Sequence, residues 1–146
     1  MRIAVGVDHG AFFVKQAVIE HIESLGHTVT DFGTYDDSSC DYPDVVKELG
    51  PKVAAGDFDR GVVLCGTGIG MSIAANKVKG IRAALCHDAY SARLTRQHND
   101  SNILCMGGRV LGLGPMLDIV RIWLGEDFDG GRHQRRIDKV RQLETQ

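Results

Sequence analysis

A cysteine followed by three closely spaced glycines is the segment of this sequence best suited to chemistry. Cys65 precedes the turn Gly66-Thr67-Gly68-Ile69-Gly70. A tight turn alone would explain the glycines, but alternate glycines also let backbone N–H groups approach an anion where a helix begins. A cysteine that ends a strand and faces a helix N-terminus has its thiolate stabilised. We therefore predict that Cys65 is a base or nucleophile beside an anion-binding turn.

Two histidines lie at the ends of predicted elements, beside other polar residues. His9 follows Asp8 after the first predicted strand, and His98 precedes Asn99 after the fourth predicted helix. Histidine exchanges protons near neutral pH, so both are candidates for acid–base work. Three other histidines, His21, His27 and His133, are predicted to be structural or exposed.

Three arginines are candidates for holding a phosphate group. Arg132 and Arg136 are four residues apart, so they share one face of a predicted C-terminal helix and could converge on one anion. Arg109 follows two glycines on a predicted loop and could join them. No aromatic residue interleaves this basic tail, so we do not predict a nucleic-acid surface.

Two other chemistries fit parts of the pattern less well. A dinucleotide site would use Asp88, but the glycines form G-x-G-x-G instead of G-x-G-x-x-G and follow the third strand. A zinc site lacks the close ligand spacing that is usual in zinc motifs; its four conceivable ligands are Cys65, Cys86, His87 and His98. We predict neither a metal nor a cofactor.

The composition is that of one globular domain over residues 1–146. The chain is 43% hydrophobic and 25% charged, which is sufficient for a buried core. A net charge of -2 provides no global field for nucleic acid or membrane. We find no secretory leader and no apolar run of about 18 residues, so we predict a cytoplasmic location. The four scattered cysteines predict free thiols.

Short apolar runs alternate with helical patterns along the chain. The runs at 3–7, 27–32, 61–65, 81–86 and 103–106 predict strands. Helices are predicted at 12–25, 43–55, 71–78, 89–95, 113–124 and 133–143, with a kink at Pro51. This order predicts a Rossmann-like, three-layer α/β/α sandwich with about five parallel strands. Ligands bind beyond the carboxyl ends of such strands, where Asp8 and Cys65 are expected to lie.

The order and spacing of six sequence blocks resemble the ribose-5-phosphate isomerase B family over nearly the whole chain. The blocks are Asp8-His9, Asp41-Tyr42-Pro43, residues 65–77, Gly80-Ile81-Arg82-Ala83, residues 91–100 and Gly130-Gly131-Arg132-His133. The resemblance implies isomerisation of ribose 5-phosphate and ribulose 5-phosphate through a cis-enediolate, without metal or organic cofactor. It also implies a homodimer, sometimes paired into a tetramer, with sites between subunits and the C-terminal helix packed on a partner.

The resemblance implies a role for each site residue. Cys65 corresponds to the base that takes the proton beside the carbonyl, and Thr67 with the glycine amides to the group that stabilises the enediolate. His98 of the partner subunit corresponds to the acid–base group that opens the furanose ring. The residues that correspond to substrate ligands are Asp8, His9, Tyr42, Gly66, Gly68, Ile69, Gly70, Asn99, Arg109, Arg132 and Arg136.

The sequence departs from the commonest family pattern in two places. One branch of the family uses a glutamate shortly after the glycine loop as base, and Met71 stands there in this chain, so Cys65 is the implied base. The segment Asp8-His9-Gly10-Ala11-Phe12 arranges its small residues differently. Isomerases of galactose 6-phosphate, allose 6-phosphate or a tetrulose phosphate remain alternatives, as does a non-catalytic nucleotide-binding module.

Overall fold

Five parallel strands form one sheet between two layers of helices. The computed structural model describes residues 1–145. The strands are β1 (Arg2–Val7), β2 (Thr28–Asp31), β3 (Arg60–Cys65), β4 (Ala83–Leu85) and β5 (Ile103–Gly107). The helices are α1 (Phe12–Ser24), α2 (Tyr42–Ala55), α3 (Ile69–Ala75), α4 (Ala89–Asn99), α5 (Leu113–Gly125) and α6 (Arg132–Leu143).

The strand order β2-β1-β3-β5-β4 places a switch point between β1 and β3. The chain leaves β1 toward β2 on one side and returns to β3 on the other, which opens a crevice at the carboxyl ends. Val7 pairs with Leu64 in the register of these strands, and the Asp8 N–H donates to the Leu64 carbonyl at 3.0 Å. The loops after β1 and β3 therefore start side by side, as predicted.

Each inner strand of the sheet is buried on both faces, which explains the continuous apolar runs in the sequence. Ile3, Val5 and Val7 pack with α1, α4 and α5 in one core. Ala4 and Cys65 face α2 and α3 in the other. The predicted three-layer fold is confirmed, and α6 packs on α4 of its own chain. Packing of α6 on a partner subunit stays a prediction.

Several predicted elements have different bounds in the structure. α4 runs to Asn99, past the predicted end at residue 95. β4 is shorter than predicted because it is an edge strand that pairs only with β5. α3 ends at Ala75, not at residue 78, because the Asn76 side chain leaves the helix to bond the Ala83 backbone at 2.9 and 3.0 Å. α2 continues through Pro51 to Ala55, with the buried side chains of Leu49 and Val53 on either side of it, and the kink stays a prediction.

Within residues 1–145, no helix combines the length and apolarity required to cross a membrane.

Candidate active site

Cys65 is the last residue of β3. Its thiol packs against the glycine turn formed by residues 66–70. The residue is 5% exposed, and the Gly68 N–H donates to Cys65 Sγ at 3.1 Å. A backbone amide can donate to a thiol or to a thiolate, and hydrogen bonds to ionised acceptors are the stronger kind. The strand, the turn and the amide together give Cys65 the surroundings of a base.

The other strand-end cysteines have a different character. Cys86 and Cys105 are buried in the two cores, and all four cysteines of the chain are free. Burial, together with the negative charge of Asp88, raises the pKa of the Cys86 thiol to about 11. Burial also raises the pKa of Cys105. Both are therefore small buried hydrophobes, as predicted.

The glycine turn is shaped by close contacts that exclude side chains. Gly68 has a φ of 77°, and a methyl group built on it would lie 2.6 Å from Leu85 Cδ1. A methyl group on Gly70 would lie 2.8 Å from Tyr42 Cζ, because the Tyr42 ring covers this glycine. Thr67 Oγ1 accepts the Ile69 N–H at 3.3 Å. The turn therefore needs glycine at both positions and holds Tyr42 beside it.

The loop after β1 presses against the same turn. Asp8 is buried, and its Oδ1 accepts the Gly10 N–H at 2.8 Å. A methyl group on Gly10 would lie 2.8 Å from the Gly66 nitrogen. His9, between them, is half-buried, and its Nδ1 accepts the Cys40 N–H at 3.2 Å. The Asp8-His9 pair thus adjoins the Cys65 turn, as the sequence predicted.

Arg109 completes this group from the loop after β5. Its backbone N–H donates to the Gly66 carbonyl at 3.0 Å, and a methyl group on Gly66 would lie 3.6 Å from its Nη1. The guanidinium is therefore an exposed positive charge beside the turn. One edge of the sheet therefore gathers a thiol, backbone N–H groups and a guanidinium.

The other predicted site residues lie at the opposite edge of the sheet. α4 runs from the carboxyl end of β4 back toward the amino end of β5, so its last turn, with His98 and Asn99, lies at the amino edge. The Asn99 carbonyl accepts Arg82 Nε at 3.0 Å just before β4 begins. A single chain therefore does not bring His98 to Cys65.

His98 meets the start of α6, where the remaining arginines lie. The rings of His98 and His133 stack with centroids 4.2 Å apart and planes 7° apart. Desolvation lowers the pKa of His133, and the positive charges of His98, Arg132 and Arg136 lower it further. Arg132 and Arg136 therefore lie near His133, the stacking partner of His98, while Arg109 lies at the other edge. The predicted convergence of all three arginines does not occur within one chain.

The sequence predicted His133 to be structural or exposed. It is buried and stacks on His98, a contact that the spacing along the chain does not reveal. Within residues 1–145, the only close group of three possible metal ligands is His98, Asp129 and His133. The possible ligand atoms of these three residues lie within 4.8 Å of one another. The zinc ligands considered from sequence are not brought together.

Comparisons with known proteins agree with this geometry. Residues 3–140 match the family model described as ribose/galactose isomerase. The chain is 46% identical to ribose-5-phosphate isomerase B of Escherichia coli, over 98% of this chain and 96% of that protein. It is 40% identical to D-erythrulose-4-phosphate isomerase of Pectobacterium atrosepticum, over 100% and 97%. The structure of Clostridium thermocellum ribose-5-phosphate isomerase B superposes with a TM-score of 0.97 at 49% identity, covering 99% and 98% of the two chains.

Proposed function

The chain belongs to the ribose/galactose isomerase family, and we propose that it interconverts ribose 5-phosphate and ribulose 5-phosphate. The observation that carries this proposal is the Cys65 thiol at the switch-point edge, hydrogen-bonded at 3.1 Å by the amide of Gly68. Aldose–ketose isomerisation needs a base at this kind of site, donors for a developing oxyanion and a distant phosphate anchor. The family and the site together supply all three.

The proposed reaction moves one proton between neighbouring carbons. The Cys65 thiolate takes the hydrogen from C2 of the open-chain aldose, and the C1 carbonyl oxygen gains negative charge. Thr67 and the amides of the turn stabilise that oxygen. The proton of the C2 hydroxyl leaves O2 while O1 is protonated, and Cys65 returns a proton to C1 to give the ketose. No step requires a metal or an organic cofactor, and we propose that the enzyme works without one in cytoplasmic pentose phosphate metabolism.

We also propose that each active site is shared by two copies of the chain. Cys65 and Arg109 lie at the carboxyl edge of the sheet, and His98, Asn99, Arg132 and Arg136 lie at the amino edge. A substrate that contacts both groups needs the carboxyl edge of one copy and the amino edge of another. Exposed Val140 and Leu143 on α6 offer apolar surface for such an assembly. The assembly we propose is a homodimer, which can pair into a tetramer.

A related phosphosugar is the second candidate substrate. The 40% identity to a D-erythrulose-4-phosphate isomerase favours it, because the same proton transfer serves a four-carbon chain. The two candidates share the base, the oxyanion donors and the phosphate ligands, and they differ only in the length of sugar between them.

An isomerisation assay across four-, five- and six-carbon sugar phosphates tests the proposed function. We expect the highest kcat/KM with ribose 5-phosphate, and at least about 100-fold lower kcat/KM with unphosphorylated ribose, because phosphate binding energy fixes the reacting geometry. A higher kcat/KM with a tetrulose phosphate would favour the second candidate. Equal rates with and without phosphate would contradict the phosphate anchor.

The arginines of α6 should act mainly on substrate binding. We expect Arg132→Ala and Arg136→Ala each to raise KM by about tenfold or more, because each removes a charge-assisted hydrogen bond to phosphate. Arg141→Ala is the matched control, since this exposed guanidinium lies on the opposite face of the same helix and pairs with Asp138 at 3.6 Å. Steady-state kinetics measure the change. Equal KM increases in all three variants would point to a general charge effect instead.

A further inference from the structure

The tautomer of His9 is set by the main chain of another loop. The Cys40 N–H donates to His9 Nδ1 at 3.2 Å. A backbone amide can only donate, so Nδ1 must present a lone pair, and the proton of the neutral ring lies on Nε2. The Cys40 thiol lies 4.0 Å from the same nitrogen, farther than the amide. The amide, not the thiol, therefore decides which nitrogen of His9 carries hydrogen.

Both ends of the loop that supplies this amide are fixed. At its start, the buried Lys15 ammonium pairs with Asp31 at 2.8 Å and bonds the Thr34 carbonyl. At its end, the Asp41 carbonyl accepts the Asp44 N–H at 3.1 Å in the first turn of α2, and the Tyr42 ring covers Gly70. The backbone N–H of Cys40 is thus held in place by α1 and α2, as a hydrogen-bond donor to His9.

The other nitrogen of His9 is left for a ligand. Within residues 1–145, Nε2 has no hydrogen-bond partner, whereas Nδ1 is engaged. The loop that carries His9 abuts the Cys65 turn through Gly10, whose added methyl group would lie 2.8 Å from the Gly66 nitrogen. His9 therefore sits between the Cys40 loop and the Cys65 turn, with one N–H unused.

We propose that the backbone N–H of Cys40 is a positioning group: it fixes the Nε2–H tautomer of His9, so that the ring meets a substrate oxygen as a hydrogen-bond donor. The inference rests on the proposed isomerase function and deepens it. Because Nε2 already carries its proton, His9 cannot accept a proton from a sugar hydroxyl at that nitrogen. The base chemistry then belongs to Cys65 and His98, and His9 contributes binding and polarisation of an oxygen.

Nitrogen-15 NMR of the ring nitrogens tests the tautomer without any substrate. In protein labelled at histidine, and assigned by comparison with His9→Gln, we expect the neutral form of the His9 ring to show a protonated Nε2 and an unprotonated Nδ1. Cys40→Ala retains the amide and should keep this pattern, while Cys40→Pro removes the N–H and should give mixed tautomers. An Nδ1–H tautomer of the neutral ring in the wild type would overturn the proposal.

Two side-chain replacements test the donor at Nε2 in catalysis. The amide nitrogen of glutamine reaches the place of Nε2, whereas that of asparagine reaches only the place of Nδ1. We expect His9→Asn to lower kcat/KM by about tenfold more than His9→Gln does, as for loss of one hydrogen bond. Equal losses in both would overturn the donor role. Absence of isomerase activity in the wild type would refute the proposed function instead, while the tautomer could still be measured.

Discussion

Replacing Cys65 by alanine should lower kcat by about 10³-fold or more while the enzyme still binds sugar phosphate. General-base transfer contributes about 10²–10⁴-fold to rates of this kind, and no neighbouring group in the turn can take its place. Met71, which follows the turn, has no ionisable atom and is fully buried. Single-turnover kinetics and calorimetric titration with ribose 5-phosphate separate the loss of chemistry from the loss of binding.

Two control variants sharpen this prediction. Cys65→Ser keeps the shape of the site and an acceptor for the Gly68 amide, but its hydroxyl is a much weaker base, so kcat should stay near that of the alanine variant. Cys86→Ala removes a buried thiol directly after β4. Its kcat should stay near that of the wild type, since the pKa of Cys86 is raised to about 11. Retention of full activity in Cys65→Ala would remove this residue from the mechanism.

The candidate site residues could be predicted from the sequence wherever the residue type and its position relative to a strand were sufficient. A cysteine at the end of an apolar run, followed by glycines, could be assigned to the carboxyl edge because parallel strands put their loops there. The same rule placed Asp8 beside it. The three-layer fold followed from the alternation of runs and helical patterns, which depends on burial and not on detailed contacts.

Contacts made by the main chain, or between segments far apart along the chain, have no such pattern in the sequence and could not be predicted from it. The amide of Cys40 reaches His9 across 31 residues, and any residue except proline could supply it. The stack of His98 on His133 joins two helices, so the spacing along the chain carries no sign of it. The bounds of α3 depended on the Asn76 side chain, whose capping bonds to β4 exist only after the sheet has formed.

The separation of Cys65 from His98 within one chain has a functional consequence. If each site takes Cys65 from one copy and His98 from the other, two differently inactivated chains should complement each other. Cys65→Ala and His98→Asn are each expected to lose at least about 100-fold in kcat. A dimer of one chain of each kind contains one site with both substitutions and one site with neither.

Co-expression of the two variants should therefore restore activity that neither possesses alone. Random pairing makes about half of the dimers mixed, each with one intact site of two, so about a quarter of wild-type activity should return. Pairing Cys65→Ala with the double variant Cys65→Ala/His98→Asn is the matched control, because no combination of these chains contains an intact Cys65. Mixed dimers verified by differential tags that stay inactive would show that His98 and Cys65 do not act in one shared site.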